Sequence, residues 1–155
     1  MGLLDGKKAL IFGVANEKSI AWAVAEAYRR EGAEVALAYA SEAVAKRVIP
    51  LGESIGASLI LPCDVRSDAD LAELFATVKK AWGGLDILIH SVAFANKEEL
   101  KGSFLNTTRE GFTTALDISA YSLVAMAKEA TPLMLGRNGS IIAMSYYGAQ
   151  KVFPS

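Results

Sequence analysis

Three residues that could take part in chemistry stand where short apolar runs of this sequence end. Gly13 and Asp64 each close or directly follow such a run, and Tyr146 ends another. A glycine lets the backbone turn sharply beside a ligand, a carboxylate accepts hydrogen bonds, and a phenol hydroxyl can donate one. Their shared position at the ends of apolar runs makes them candidates for ligand contact, and each also has an ordinary structural explanation as a turn, a cap or an aromatic at a strand end.

The stretch IFGVANEKSIA (11–21) contains one glycine where a dinucleotide-binding turn usually has three. Gly13 permits the turn, and the helix that follows would present free amides and a positive dipole end to a pyrophosphate. Ser19 could cap those amides or donate its hydroxyl to a phosphate, and Ala21 is small enough for close packing on a sheet. An ordinary strand-to-helix turn with a serine cap explains the same residues, so this stretch leaves both interpretations open.

The second and third apolar runs end differently. Tyr39-Ala40-Ser41 carries no acid for a ribose hydroxyl and no nearby arginine for a 2′-phosphate, so charge does not decide between NADH and NADPH. Asp64 could accept a hydrogen bond from an adenine amino group, or it could simply cap a turn. The local sequence favours neither role for Asp64.

His90 and Cys63 are the only histidine and cysteine in the chain. His90 lies inside an apolar run, and we interpret it as a core histidine rather than a catalytic one. Cys63 is interpreted as a small buried residue rather than a nucleophile. One histidine and one cysteine are too few for the four ligands of a structural zinc site, so we expect no bound metal. Neither a Gly-x-Ser-x-Gly elbow nor a P-loop Gly-Lys-Ser/Thr occurs, so hydrolase and NTPase functions lack support.

Composition limits the other possibilities. The 155 residues are 52% hydrophobic and 21% charged, which is typical of a soluble globular domain with a substantial core. A formal net charge of −1 without basic clusters argues against nucleic-acid binding. Apolar stretches fall far short of the about 18 residues that a membrane span needs. A single cysteine and an N-terminus without a signal-peptide pattern predict a cytoplasmic protein.

Apolar periodicity alternates between two types along the chain. Strands are predicted at KALIFGV (8–14), EVALAY (34–39), SLILPC (58–63), LDILIHSV (85–92) and GSIIAMSY (139–146). Helices are predicted at 19–32, at 42–55 with Pro50 as an interruption, behind Ser67, and from about 109 to 135. Residues 96–108 are polar and irregular.

Two of these helices have assigned apolar faces. The first would pack through Ile20, Val24, Ala27 and Tyr28. In the third, Ser67 with Asp70 resembles a capping box, and the apolar stripe behind it comprises Leu71, Leu74, Phe75, Val78 and Trp82.

Strands that alternate with helices at this spacing form βαβ units, which require parallel strands and right-handed crossovers. The predicted fold is therefore an α/β doubly wound parallel sheet of five strands, in a single domain spanning residues 1–155. Ligands bind such sheets at the carboxyl ends of the strands, near the point where strand order reverses.

Several motifs together resemble one family. GVANEKSIAWAVA (13–25), CDV (63–65), HSVAFA (90–95), DISAYSLVAMAKEA (117–130) and SYYGAQKVFP (145–154) are similar to segments of bacterial enoyl-acyl-carrier-protein reductases. These enzymes form a divergent branch of the short-chain dehydrogenase/reductase superfamily, with a Rossmann-type fold. The resemblance runs from about Lys7 to the last residue without obvious gaps.

The resemblance implies a role for nine positions. Gly13, Ser19 and Ile20 would hold the pyrophosphate and nearby ribose of NADH, with NADPH not excluded. The remaining cofactor positions would be Ala40 near the adenosine, Asp64 and Val65 around the adenine, and Val92 beside the cofactor. Ala95 would border the acyl substrate, and Tyr146 would be the first active-site tyrosine, near the substrate carbonyl. Ala40 stands where the branch usually has a polar residue, which weakens its expected contact.

The resemblance assigns the family's second tyrosine and lysine, spaced Tyr-x6-Lys, to positions immediately after Ser155. Two further strands and the last helices would also follow. We therefore expect that the sequence is the N-terminal part of a longer enzyme, and that residues 1–155 do not support normal turnover.

The implied reaction is NADH-dependent reduction of the trans-2 double bond of enoyl thioesters carried on acyl carrier protein.

The helix around ISAYSLVAMA is apolar on nearly every face, and the family implies a homo-oligomer, with a tetramer favoured. Another short-chain reductase, such as an NADPH-dependent ketoacyl reductase, would need a TGxxxGxG loop that is absent. A non-catalytic dinucleotide-binding module remains an alternative. A receiver-type signalling domain requires acidic residues after the first strand, and this sequence has Gly13-Val14-Ala15 there instead.

Overall fold

The structure, a computed structural model, describes residues 2–152. Its strands are β1 (Lys8–Phe12), β2 (Glu34–Tyr39), β3 (Leu59–Pro62), β4 (Ile87–His90) and β5 (Ser140–Ala143). Its α-helices are α1 (Ile20–Arg30), α2 (Glu42–Ser54), α3 (Asp68–Trp82), α4 (Arg109–Leu116) and α5 (Ser122–Met134). A π-helical turn (Asp117–Tyr121) joins α4 to α5, and short 3₁₀ turns lie at Lys97–Leu100, Phe104–Asn106 and Tyr147–Ala149.

The five strands form one parallel sheet in the order β3-β2-β1-β4-β5. The chain winds outward from β1 to β3, then crosses back to place β4 on the other side of β1. This reversal lies between β1 and β4, where Leu10 pairs with Leu88 and Phe12 with His90. The predicted α/β doubly wound fold is confirmed, although each strand except β2 is shorter than the apolar run that predicted it.

The sheet is covered on both faces because alternate residues of its central strand point to opposite sides. Leu10 and Phe12 of β1 belong to a core with α3 and α5, whereas Ala9 and Ile11 belong to a second core with α1 and α2. All four side chains are at most 2% exposed. This double burial explains why the strand is apolar throughout instead of alternating.

Helix α3 follows its sequence pattern closely. Ser67 accepts a hydrogen bond from the Asp70 amide at 3.1 Å and donates its hydroxyl to the Asp70 carboxylate at 2.7 Å. Gly83 ends the helix in the left-handed conformation. The predicted stripe is confirmed, since its five members are all buried: Leu71, Leu74, Phe75, Val78 and Trp82.

The predicted apolar face of α1 is partly wrong. Ile20 is 66% exposed, and the buried residues of this helix are Ala21, Trp22 and Ala25. Ile20 is the first residue of the helix, and the sheet covers the side formed by Ala21, Trp22 and Ala25 instead. Ala21 is fully buried, as expected for a small residue where the helix packs closely on the sheet.

Pro50 lies inside α2, which continues to Ser54. Proline removes one amide donor and leaves the carbonyl four residues earlier without its usual partner. Pro50 and Lys46 are both exposed, so water can reach that carbonyl. The predicted helix of residues 42–55 is thus present, and the proline does not end it.

Asp86 connects three segments at the amino end of the central strands. Its carboxylate accepts hydrogen bonds from the Lys8 amide and from Arg137 Nη2, each at 3.0 Å, and lies 3.5 Å from Lys7 Nζ. Burial raises the pKa of Asp86, but the hydrogen bonds and positive charges of these partners outweigh it and hold that pKa below its usual range. The carboxylate therefore stays ionised in the core.

Strand β5 lies at one edge of the sheet, and its residues are exposed, with Ile141 and Ile142 each 40% accessible.

Within residues 2–152, no helix is long and apolar enough to cross a membrane.

Candidate functional site

A cavity of about 370 Å³ opens at the carboxyl ends of β1 to β4, across the point where strand order reverses. Doubly wound sheets bind ligands at this position. The cavity is lined by four strand-end segments and one residue of the π-helical turn: 12–15, 38–40 with Val44, 63–66, 91–94 and Ile118.

Gly13 brings two of these segments into close approach. Its φ is +105°, and a Cβ at this position would overlap the carbonyl oxygen of Ser91. No L side chain fits here, both because of the backbone conformation and because of the neighbouring backbone. Glycine is therefore required at position 13, because the loop after β1 touches the loop after β4 there.

Ser19 holds the loop that leads from Gly13 into α1. Its hydroxyl accepts hydrogen bonds from the amides of Ala15 (3.0 Å) and Asn16 (3.1 Å), and it makes no cap to the helix. The suggestion that the Ser19 side chain caps the α1 amides is therefore wrong. The first turn of α1 contains no acidic residue, so its amino end is electrostatically suited to an anion.

Arg47 reaches this loop from α2. Its Nε donates to the Ala15 carbonyl at 2.9 Å, although the two residues are 32 positions apart in the sequence. No arginine was expected close to Ala40 and Ser41. The exposed guanidinium of Arg47 supplies a positive charge on the loop that follows β1.

Asp64 is paired with Arg66 at the end of β3. The Arg66 Nε lies 3.0 and 3.1 Å from the two carboxylate oxygens, and its Nη2 donates to the second of them. The side-chain hydrogen bond from Arg66 lowers the pKa of Asp64. Asp64 also accepts from the Arg66 amide at 3.0 Å, so it forms a turn and lines the cavity at the same time.

The two reactive-looking residues of the sequence are structural. Burial, and then the carboxylates of Asp70 and Asp64, raise the pKa of the Cys63 thiol to about 12. His90 is 2% exposed, and its Nε2 lies 2.8 Å from the Ser122 hydroxyl. Burial lowers the pKa of His90, so the ring is neutral. The interpretation of both as core residues is confirmed.

Known proteins share both the sequence and the fold that build this site. A family model described as Enoyl-(Acyl carrier protein) reductase matches residues 13–155. The chain belongs to this reductase family. The matched region includes three of the strand-end segments around the cavity and all but Phe12 of the fourth.

Named relatives within the enoyl-acyl-carrier-protein reductase family support this assignment. The enoyl-acyl-carrier-protein reductase (NADH) FabI of Aquifex aeolicus is 52% identical over 99% of this chain, and that of Neisseria meningitidis serogroup B is 47% identical over the whole chain. The chain spans 57% and 60% of the lengths of these two relatives.

Solved structures of the family have the same fold. The A. aeolicus reductase matches with a TM-score of 0.96 at 52% identity, covering 99% of this chain and 61% of that one. The Anaplasma phagocytophilum reductase, determined in complex with NAD, matches with a TM-score of 0.94 at 48% identity. The match covers 99% of this chain and 58% of the A. phagocytophilum chain.

The structure brings five of the nine reductase positions together. Those that line the cavity are Gly13, Ala40, Asp64, Val65 and Val92. The cavity is not lined by the other four. Ser19 bonds to the loop amides, and Ile20 is exposed at the start of α1. Ala95 follows the lining segment, and Tyr146 is 73% exposed beyond β5.

Arg66 and Ile118 also line the cavity, and neither was among the predicted site residues. Arg66 follows the CDV motif directly, so the sequence indicates its place but not its pairing with Asp64. Ile118 lies in the ISAYS segment, whose helical pattern hid the π-helical turn that brings it to the cavity. Sequence periodicity carries no signal for such a turn.

Proposed function

We propose that the cavity binds NADH with its adenine half beside Asp64 and Val65 and its nicotinamide half beside Val92. The observation that carries this proposal is the close approach of Gly13 to Ser91 at the strand-order reversal. This approach keeps the bottom of the cavity free of a side chain at Gly13, where a dinucleotide would cross β1. The amino end of α1 and the loop held by Ser19 would face the pyrophosphate.

We further propose that the complete reductase reduces the trans-2 double bond of enoyl thioesters carried on acyl carrier protein. When bound, NADH supplies the hydride for this reduction. Within this chain, Ala95 would border the acyl group, and Tyr146 would orient the thioester carbonyl through its hydroxyl. Both residues follow strand ends on the β4–β5 side of the sheet, the side proposed for nicotinamide.

NADH is preferred over NADPH in this proposal because the relatives in Aquifex and Neisseria are named as NADH enzymes. Ala40 at the end of β2 offers neither an acid that would repel a 2′-phosphate nor a cation that would hold one. Arg47 is the positive charge that contacts the loop after β1. NADPH binding is therefore expected to be weaker than NADH binding but measurable.

The long α4–α5 segment supports a homo-oligomer. Phe112, Leu116, Tyr121 and Val124 are between 49% and 60% exposed along its outer side. Burial of such a face against a second copy would remove apolar surface from water. We propose a tetramer of the complete reductase, located in the cytoplasm.

Two assays test the proposed function. Fluorescence titration of residues 1–155 with NADH is expected to give saturable binding. NADH oxidation with a crotonyl thioester is expected to be far slower than in a complete reductase, because the implied second tyrosine and lysine belong to later positions. Rates like those of a complete reductase would contradict this assignment of roles, and absent NADH binding would contradict the cofactor site itself.

A further inference from the structure

The helical segment that reaches the cavity through Ile118 changes its winding between α4 and α5. Between α4 and α5, Asp117–Tyr121 forms a π-helical turn. Such turns are rare and often lie at functional sites, because the extra residue per turn redirects side chains. Here Ile118 lines the cavity, and the serines on either side of Tyr121 contact the end of β4 and its loop.

Ser119 holds both backbone groups of Phe94. The Phe94 amide donates to the Ser119 hydroxyl at 3.0 Å, and that hydroxyl donates to the Phe94 carbonyl at 3.2 Å. Phe94 belongs to the cavity-lining loop after β4 and is 47% exposed. The Ser119 hydroxyl, which comes from another element, thus hydrogen-bonds both the amide and the carbonyl of one residue in this loop.

Ser122 fixes the same turn to the last residue of β4. Its hydroxyl donates to the Ile118 carbonyl at 2.6 Å, which leaves its lone pairs to accept from His90 Nε2 at 2.8 Å. Both His90 and Ser122 are buried. His90 Nδ1 has no hydrogen-bond partner within residues 2–152, which fits the tautomer with its proton on Nε2. Ser122 therefore anchors the turn to the end of β4, and Ser119 holds the loop that follows β4 through Phe94.

The sheet order shows which part of the cavity these contacts affect. Asp64 lies on the β3 side, Gly13 lies at the centre, and the loop of residues 91–94 lies on the β4 side. Under the proposed function, on which this inference rests, the β4 side takes the nicotinamide half of NADH.

We propose that Ser119 is a positioning residue for the nicotinamide half of the site. Through Phe94 it keeps the 91–94 loop in the conformation that receives the nicotinamide, so that binding does not have to order the loop. Ser119 itself does not line the cavity, and it acts through the loop backbone. Loss of its hydroxyl should therefore affect ligands that contain nicotinamide and spare those that do not.

The test compares NADH with ADP-ribose, which keeps the adenine and pyrophosphate but lacks nicotinamide, on residues 1–155. Ser119→Ala is expected to weaken NADH binding about tenfold, as the loss of two hydrogen bonds to the loop predicts, and to change ADP-ribose binding less than about twofold. The matched control is Thr131→Val, which removes a similar hydroxyl bond (Thr131 Oγ1 to the Ala127 carbonyl, 2.7 Å) farther along the same helical segment. It is expected to leave both affinities unchanged.

Equal NADH affinity in Ser119→Ala and in the wild type would overturn the inference while leaving the proposed function intact. An equal loss for both ligands would also overturn it, because that result indicates general damage. A wild-type chain that binds neither ligand would contradict the proposed function and this inference together.

Hydrogen exchange of the wild-type chain gives a second measurement that needs no variant. The Phe94 amide is expected to exchange slowly without ligand, because Ser119 accepts its hydrogen bond. Exchange at the rate of an unstructured peptide would overturn the inference, even if Ser119→Ala failed to fold.

Discussion

Gly13 is a residue whose identity the structure constrains in two ways. Its φ of +105° already disfavours other residues, and the Ser91 carbonyl occupies the space that a Cβ would need. Gly83 also has a positive φ of +71°, but no atom of the described residues comes within 4 Å of the position that a Cβ would occupy there. The pair separates the cost of an unfavourable backbone conformation from the cost of a steric overlap.

Gly13→Ala is expected to lower the free energy of unfolding by about 1–3 kcal/mol more than Gly83→Ala, because the overlap with Ser91 adds to the backbone strain. Urea unfolding of both variants measures this difference. Gly13→Ala should also lose NADH binding, whereas Gly83→Ala should keep it. Equal destabilisation by the two variants would show that the loops can separate without cost.

His90 should make the stability of the chain depend on pH near neutrality. Burial lowers its pKa in the folded state, whereas the unfolded pKa is about 6.5. The unfolded chain then binds more protons as pH falls, so the His90 contribution is complete above about pH 6.5 and is lost progressively below it. This is the sole histidine, so no other histidine contributes in that range.

We expect the wild-type free energy of unfolding to fall by about 1 kcal/mol between pH 7.5 and pH 5.5. His90→Gln should remove most of that slope, whatever its effect on stability at pH 7.5. Urea unfolding at the two pH values measures both. The same slope in the variant would mean that another group titrates.

The roles of single residues were predictable where one local feature determines them. The Ser67 cap and the burial of Cys63 follow from sequence neighbours, and both predictions are confirmed. The pairing of Asp64 with Arg66 and the contact of Arg47 with Ala15 depend on side-chain conformation and tertiary packing. The local sequence carries no information about either contact.

At the level of secondary-structure elements, Asp86 joins β1, β4 and the segment before β5 through one ionised carboxylate. Asp86→Asn is expected to lower the free energy of unfolding at pH 7 by about 1–3 kcal/mol, because the buried position loses its charge-assisted hydrogen bond from Arg137 and its ion pair with Lys7. Asp68→Asn, at an exposed position in the first turn of α3, is the control and should cost less than about 1 kcal/mol.

The pH dependence of this difference follows from the lowered pKa of Asp86. The stabilisation is present above the unfolded pKa of about 3.9 and is lost as pH falls through the folded value. Urea unfolding should therefore show the gap between wild type and Asp86→Asn narrowing below about pH 4. A gap that stays constant down to pH 3 would contradict an ionised Asp86.

Elements differed in how well the sequence predicted them. Helix α3 has a cap and an apolar stripe that agree with each other, so its start and its buried face were predicted correctly. Helix α1 has apolar residues on several faces, and Ile20 was wrongly assigned to the core because only the sheet decides which face is covered. The predicted long helix of residues 109–135 contains the π-helical turn, which tertiary contacts with β4 stabilise.

At the level of the whole molecule, the outer side of the α4–α5 segment is the surface proposed for association. Val124→Glu would place a charge in a position that is 60% exposed in the single chain and buried in the proposed oligomer. Sedimentation velocity is expected to show that this variant shifts toward smaller species. Ile49→Glu, on α2 and the opposite side of the sheet, should leave the oligomer unchanged. A complete reductase that sediments as a monomer at all concentrations would contradict the proposed interface.

The fold of the whole molecule was predictable because strand and helix patterns alternate regularly, which restricts the sheet to parallel crossovers. Which residues meet at the carboxyl edge was predictable only in part. Gly13, Asp64 and Val92 each stand at a strand end, so topology alone brings them together. Ile118 arrives from a helix, and no rule about strand ends includes it.

The central claim is that one NADH molecule lies across β1 between Asp64 and Val92. A titration of the isotopically labelled chain with NADH, followed by backbone amide chemical shifts, tests both binding and location in one measurement. We expect saturable shifts at Gly13, Val65 and Val92 that follow a single dissociation constant. Saturable shifts confined to other surfaces, or no saturable shifts at these three amides, would contradict the claim.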